Sequence, residues 1–158
     1  GLDKNVVGFD TFDGMSEPTD YDVAWDGEKS RDLMSKSEKN KDIENIHCVS
    51  PLDEVTNNIN AKGVKDMPQL VQGKVEDTLK EIKNVPNRIS ILRLDTDFYE
   101  STKVELEELF PRLQSGGVLI IDDYGHHMGA KKAVDEYFAD QKIWMHQVDY
   151  SCRLMLKK

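Results

Sequence analysis

Apolar residues along this chain gather into short runs of four to six, set between polar stretches. Two runs end abruptly in pairs of carboxylates. Ile91-Leu92-Arg93-Leu94 leads into Asp95-Thr96-Asp97-Phe98-Tyr99, and Val118-Leu119-Ile120-Ile121 leads into Asp122-Asp123-Tyr124. Near-continuous apolar runs of this length predict buried parallel strands. The chain enters an earlier strand almost at once, at Asn5–Asp10, and a short one is predicted at Gln69–Gln72 between Pro68 and Gly73. Ile89–Leu94 is the next, and Gly116-Gly117 precede the strand Val118–Ile121. Two more, Ile143–Val148 and Cys152–Leu156, flank a turn at Asp149–Ser151.

Helical spacing fills the intervals. Ser50-Pro51-Leu52-Asp53 reads as a helix start, with Ser50 as cap, Pro51 at the first helical position and Asp53 closing a capping box. That helix is predicted to end near Gly63. Val75, Leu79 and Ile82 predict a helix over Val75–Lys83. Val104, Leu106, Leu109, Phe110 and Leu113 predict another over Ser101–Leu113, and Val134, Tyr137 and Phe138 a third over Ala130–Ala139. From Thr11 to Ile46 the chain is polar and poorly periodic, with a short polar helix predicted around Arg31–Lys39. A stretch this long in a compact domain reads as a functional loop, and residues 13–46 are expected to form a mobile loop or lid. Alternating strands and helices with a final antiparallel hairpin predict one α/β domain, a three-layer sandwich spanning residues 1–158.

Composition narrows the function classes. The net charge of −9 argues against a nucleic-acid or polyanion surface. No apolar run approaches the ~18–20 residues that span a bilayer, and the N-terminus has no signal-peptide core, so a cytoplasmic protein without a membrane partner is expected. Cys48 and Cys152 fit no metal or redox spacing and are expected to be buried thiols in a reducing compartment. Neither G-x-G-x-x-G nor a P-loop occurs.

The acidic pairs are the candidate chemistry. Open α/β sheets bind ligands in the crevice beyond the carboxyl ends of their strands. Asp95 and Asp97 share a face if the strand continues through them, and a right-handed crossover sets Asp122-Asp123 beside them. Four acids gathered there repel one another unless a cation shares them. All-oxygen ligation suits Mg²⁺, Mn²⁺ or Ca²⁺ rather than zinc. The competing reading is that strand-end aspartates cap the following helices.

The run from Leu92 through Asp95-Thr96-Asp97-Phe98-Tyr99-Glu100-Ser101-Thr102, followed by Gly116-Gly117 and Val118 through Asp122-Asp123-Tyr124-Gly125-His126, resembles the macrocin O-methyltransferase family. Phe9-Asp10-Thr11-Phe12-Asp13-Gly14-Met15, Glu76-Asp77-Thr78-Leu79, Gly129–Tyr137 and Asp149-Tyr150 extend the likeness to nearly the whole chain, apart from Tyr21–Lys41. The resemblance implies a Rossmann-like methyltransferase fold and an S-adenosylmethionine- and Mg²⁺-dependent O-methyltransferase acting on a sugar or small-molecule hydroxyl. It implies Asp95, Asp122 and Asp123 as metal ligands and Asp97 as general base. It also implies cofactor contacts from Asp10, toward the ribose, and from Gly73, Lys74 and Val75, toward the adenine. Tyr99, Tyr124 and His126 are weaker candidates for the acceptor site, as are Tyr21 and Trp25.

The family begins its sheet with a strand and a glycine-rich turn that approach the cofactor. This chain is expected to lack both, since it starts at what corresponds to the second strand. Val6–Asp10 is then expected either to pair directly with Ile89–Leu94 or to leave an edge that invites association with a second chain. The metal half of the site is expected to survive better than the cofactor half. Two other function classes stay open: a nucleotide-sugar glycosyltransferase holding Mn²⁺ through Asp95-Thr96-Asp97, and a non-catalytic metal-binding domain.

Overall fold

A computed structural model describes residues 4–39 and 47–158. Strand β1 (Val7–Asp10) lies parallel to β2 (Gln69–Gln72), with Val7 opposite Gln69 and Asp10 opposite Gln72. These two strands form a sheet of their own. The second sheet has the order β3 (Ile89–Leu94), β4 (Leu113–Ile121), β6 (Arg153–Leu156), β5 (His146–Gln147). β3 and β4 run parallel, and β6 is antiparallel to both β4 and β5. Of the two outcomes expected for the first strand, pairing with Ile89–Leu94 does not form. The short helix α3 (Val75–Thr78) packs against both β1 and the helix α4 (Tyr99–Leu109), which ties the sheets together. Among the described residues, the outer edges of β1 and β3 carry no ladder partner.

The core sits under one face of the larger sheet. Leu92, Leu94, Leu119, Ile121 and Met155 point into it and meet Leu106, Leu109, Val134 and Phe138 from α4 and α5 (Met128–Tyr137). Leu106, Leu119 and Val134 are wholly buried. The opposite face keeps Ile91 and Leu156 exposed, in one row with Val118.

Several boundaries differ from the sequence pattern for local reasons. The helix predicted over Val75–Lys83 stops at Thr78 and resumes as a single 3₁₀ turn at Ile82–Asn84. Pro86 forces Val85 into extended backbone, so the helix cannot run on, and Ile82 faces solvent. The Ser101–Leu113 helix begins earlier, at Tyr99, and ends at Leu109. Pro111 has no N–H to continue the ladder, and Phe110–Arg112 tightens into a 3₁₀ turn. Leu113 therefore opens β4, and Gly116-Gly117 lie inside that strand rather than before it. They occupy a bulge, since Ile89 faces Leu113 while Ile91 faces Val118. A β-carbon on Gly117 would fall 2.8 Å from the Gln114 carbonyl oxygen, so the bulge needs a bare backbone there. Helix α2 (Leu52–Ala61) takes Pro51 as its cap residue, with no side-chain capping bond, so the predicted capping box is not made. The last helix sits two residues earlier than predicted, and the final hairpin is shorter, because β5 is an exposed edge with little to pack on.

Part of the polar loop is folded onto this frame. The helix α1 spans Ser30–Lys39, and Phe12, Asp22, Ala24 and Ser30 are buried. Residues 40–46 of the expected 13–46 lid lie outside the described residues. Cys152 is buried as expected, whereas Cys48 is exposed. No described helix is long and apolar enough to cross a membrane.

Candidate active site

The carboxyl ends of β3 and β4 finish level with each other. Leu94 faces Ile121, and the Asp122 N–H donates to the Leu94 carbonyl at 3.0 Å. The next residue on each strand is an aspartate, so this register brings Asp95 and Asp122 together. Oxygens of Asp95, Asp122 and Asp123 lie within 4.8 Å of one another. A second group, Asp97, Asp123 and His127, also lies within 4.8 Å and shares Asp123.

Asp97 reaches its place by a different route from the one the alternation rule gives. The strand ends at Leu94, and Asp97 adopts a left-handed backbone with φ 65°. Aspartate tolerates that region better than most residues, and such strain concentrates at functional sites. Two anchors hold the turn. The Thr96 hydroxyl donates to Glu105 Oε2 at 2.9 Å, and the Phe98 N–H donates to the Thr96 carbonyl at 2.7 Å.

The electrostatics follow from crowding. Burial, then hydrogen bonding to Asp123, pushes the Asp97 carboxyl up to about 9. Burial, then a hydrogen bond with Asp122, raises Asp95 to about 7, against the pull of Arg93. Asp122 moves the other way, lowered first by the Asp95 bond and further by the Arg93 guanidinium. Glu105, buried beneath the turn, is raised to about 8 by desolvation. His127 Nε2 is 3.6 Å from Asp97 Oδ2, and burial lowers the imidazole pKa. Its Nδ1 is buried without a hydrogen-bond partner.

Other residues singled out from sequence fall at varied distances from this cluster. Asp10 ends β1 with an exposed carboxylate, and its Oδ1 accepts the Phe12 N–H at 2.6 Å. The Gly73 N–H donates to the Asp10 carbonyl, Lys74 is exposed and Val75 is buried. A groove of about 570 Å³ lined by Phe12, Leu52, Thr56 and Gln72 opens beside Asp10 rather than beside the acids. The Tyr99 hydroxyl donates to Glu136 and the Tyr124 hydroxyl to Asp135, so both are committed to α5. His126 stacks edge-on against Tyr150, while its neighbour His127 is the histidine beside Asp97. Tyr21 packs its ring against Tyr99, and Trp25 is exposed.

Arg93, Glu105 and His127 are site residues that the sequence pattern did not single out. Arg93 carried a signal, since a charge inside an otherwise apolar strand has to face a partner or solvent. Glu105 gave none, because its helix position looks like any solvated glutamate until the fold buries it.

The Macrocin-O-methyltransferase (TylF) family profile matches residues 1–157. The chain belongs to this family. It is 31% identical over 137 residues to the demethyldecarbamoylnovobiocin O-methyltransferase of Streptomyces niveus, covering 87% of this chain and 48% of that protein. A tetracenomycin-C 4'-O-methyltransferase of Streptomyces olivaceus, whose named substrate bears a dimethoxy-rhamnosyl group, is 40% identical over 88 residues, 55% of this chain and 33% of its own. Among solved structures, the O-methyltransferase NovP superposes with a TM-score of 0.78 at 27% identity, covering 98% of this chain and 60% of its own. The calicheamicin methyltransferase CalS11 gives 0.66 at 17% identity, with 97% and 60% coverage, and supports the Rossmann-like methyltransferase fold alone. This macrocin O-methyltransferase family chain thus spans about a third to a half of the length of these curated relatives. The reported relatives carry methyltransferase names, and the glycosyltransferase alternative finds no support among them.

Proposed function

We propose that this chain carries the metal and acceptor site of an S-adenosylmethionine-dependent O-methyltransferase that acts on a hydroxyl of a sugar-bearing natural product. One observation carries the reading: Asp95, Asp122 and Asp123 converge at the ends of two adjacent parallel strands, with Asp97 beside them. Three hard oxygen donors within 4.8 Å fit a divalent cation such as Mg²⁺. Such a cation would acidify the acceptor hydroxyl. Asp97 is the group that receives the proton. A cation held by its neighbours would draw down the raised proton affinity that crowding gives Asp97 and leave it ionised to accept that proton, with Asp123 and His127 close by.

S-adenosylmethionine would supply the methyl group from its sulfonium centre. Asp10, exposed at the end of β1, and Gly73, Lys74 and Val75 after β2 are the residues of this chain proposed to hold its ribose and adenine. Attack in line needs no covalent enzyme intermediate, so the protein's part is positioning and charge control. The exposed Tyr150 and the half-buried His126, whose rings meet edge-on, would face the acceptor, with Trp25 and Tyr21 of the polar loop acting as its cover. Tyr99 and Tyr124 would shape that space through their packing on α5. Work in a reducing cytoplasm, without nucleic acid, accords with the acidic charge and the Cys152 thiol.

The test is methyl transfer from labelled S-adenosylmethionine to a rhamnosylated acceptor, with Mg²⁺ present or chelated, alongside calorimetric titration of the cofactor. Mg²⁺-dependent transfer is expected. Asp97→Asn should lower turnover at least ~100-fold while leaving metal affinity nearly unchanged. A large loss of metal binding in that variant would remove Asp97 from the base role, and transfer that ignores chelation would remove the metal.

A further inference from the structure

Arg93 lies two residues before Asp95 on β3, opposite Ile120 of β4. Its guanidinium forks across two carboxylates from different strands. Nη1 is 2.8 Å from Asp95 Oδ2, and Nη2 is 2.6 Å from Asp122 Oδ2. Arginine's planar fork suits this bridge, where a lysine ammonium would act as a single point charge. The side chain is 54% exposed, on the open face of the sheet beside Ile91. It can therefore swing into solvent without disturbing the core.

We propose that Arg93 is a built-in counter-cation that sets the divalent-metal affinity of the Asp95–Asp122–Asp123 centre. This rests on reading those three acids as a metal centre. The guanidinium and a metal ion draw on the same two carboxylates, so each weakens the other's hold. Two effects oppose one another. By bridging Asp95 and Asp122, Arg93 keeps the ligands close, which favours the ion. An exposed pair of this kind contributes little to that ordering. A unit positive charge within ~5 Å of a doubly charged ion opposes binding about tenfold even at the dielectric constant of water. Competition therefore wins, and Arg93 holds affinity down while shielding the acids from one another when no ion is bound. The same charge draws on Asp123 only at longer range.

The test is direct titration of Mn²⁺ into the 158-residue chain and into Arg93→Gln and Arg93→Lys, at low ionic strength, with thermal melts in chelator and in Mn²⁺. Arg93→Gln should bind Mn²⁺ about tenfold more tightly. It should also melt lower than the parent in chelator and gain more from Mn²⁺. Arg93→Lys keeps the charge and should stay within about threefold of the parent's affinity. Unchanged or weaker Mn²⁺ binding by a cooperatively melting Arg93→Gln overturns the proposal, as does a tenfold change in Arg93→Lys. If none of the three proteins binds Mn²⁺, the metal-centre reading fails and takes this inference with it. If only the parent's affinity is matched throughout, the metal centre stands and the role of Arg93 falls.

Discussion

Glu105 shows how much the setting of one side chain decides. It is 6% exposed, its Oε2 accepts the Thr96 hydroxyl, and it sits close enough to Asp95 and Glu76 to feel both charges. With its pKa raised to about 8, it is neutral near pH 6 and charged by pH 9. Glu105→Gln keeps the acceptor for Thr96 and removes the titration. Its melting temperature should match the parent at pH 4 and exceed it at pH 9, the gap opening by about 1.4 kcal/mol for each pH unit between the unfolded and folded values and levelling off above the latter. Equal melting at both values would show that Glu105 carries no such burden. Asp97 makes the complementary point. Its identity as a strand-end acid was legible, because an apolar run followed by Asp-Thr-Asp marks the crevice side of a sheet. Its direction was not, since alternation assumes extended backbone and Asp97 leaves it.

At the scale of elements, α4 depends on a residue far away in sequence. Its own cap residue, Phe98, makes no side-chain bond, and Asp22 of the polar loop supplies the acceptor instead, 2.7 Å from the Tyr99 N–H. The other Asp22 oxygen takes the Thr19 N–H and hydroxyl. A β-carbon on Gly129 would lie 1.9 Å from Asp22 Oδ1, so the first turn of α5 must be bare for the loop to dock. Asp22→Ala strands buried donors and should lower stability by about 2 kcal/mol, read as a fall in denaturant midpoint. A change under ~0.5 kcal/mol would mean the loop does not hold α4 in solution. Helical periodicity located α4 and α5 well, because their apolar stripes face one core. It could not show that a polar loop would cap one of them, because capping across 77 positions leaves no local pattern.

Across the whole molecule, clustered acids should make stability fall as pH rises. Asp95, Glu105 and Asp97 titrate near 7, 8 and 9 when folded. Unfolded carboxyls titrate near ~4. Between those values the folded chain binds more protons than the unfolded one, so their stabilising effect is complete below about pH 4 and lost step by step up to about pH 9. Asp122, lowered when folded, acts in the opposite sense at the acid end. Melting temperature in chelator should therefore decline from pH 6 to pH 9, and Mg²⁺ should flatten that decline by replacing the protons. A profile that rises over this range would contradict the cluster. The sequence by itself determined the strand and helix inventory, the side of the sheet that carries chemistry, and the family, because apolar periodicity and an acid-rich motif are local patterns. Only the tertiary structure decided that β1 pairs with β2 and, among the described residues, leaves β3 with an open edge. It alone set Arg93 between two ligands, chose His127 over His126 beside Asp97, and buried Glu105. Those outcomes depend on register and packing between distant segments, which no local pattern of residues encodes.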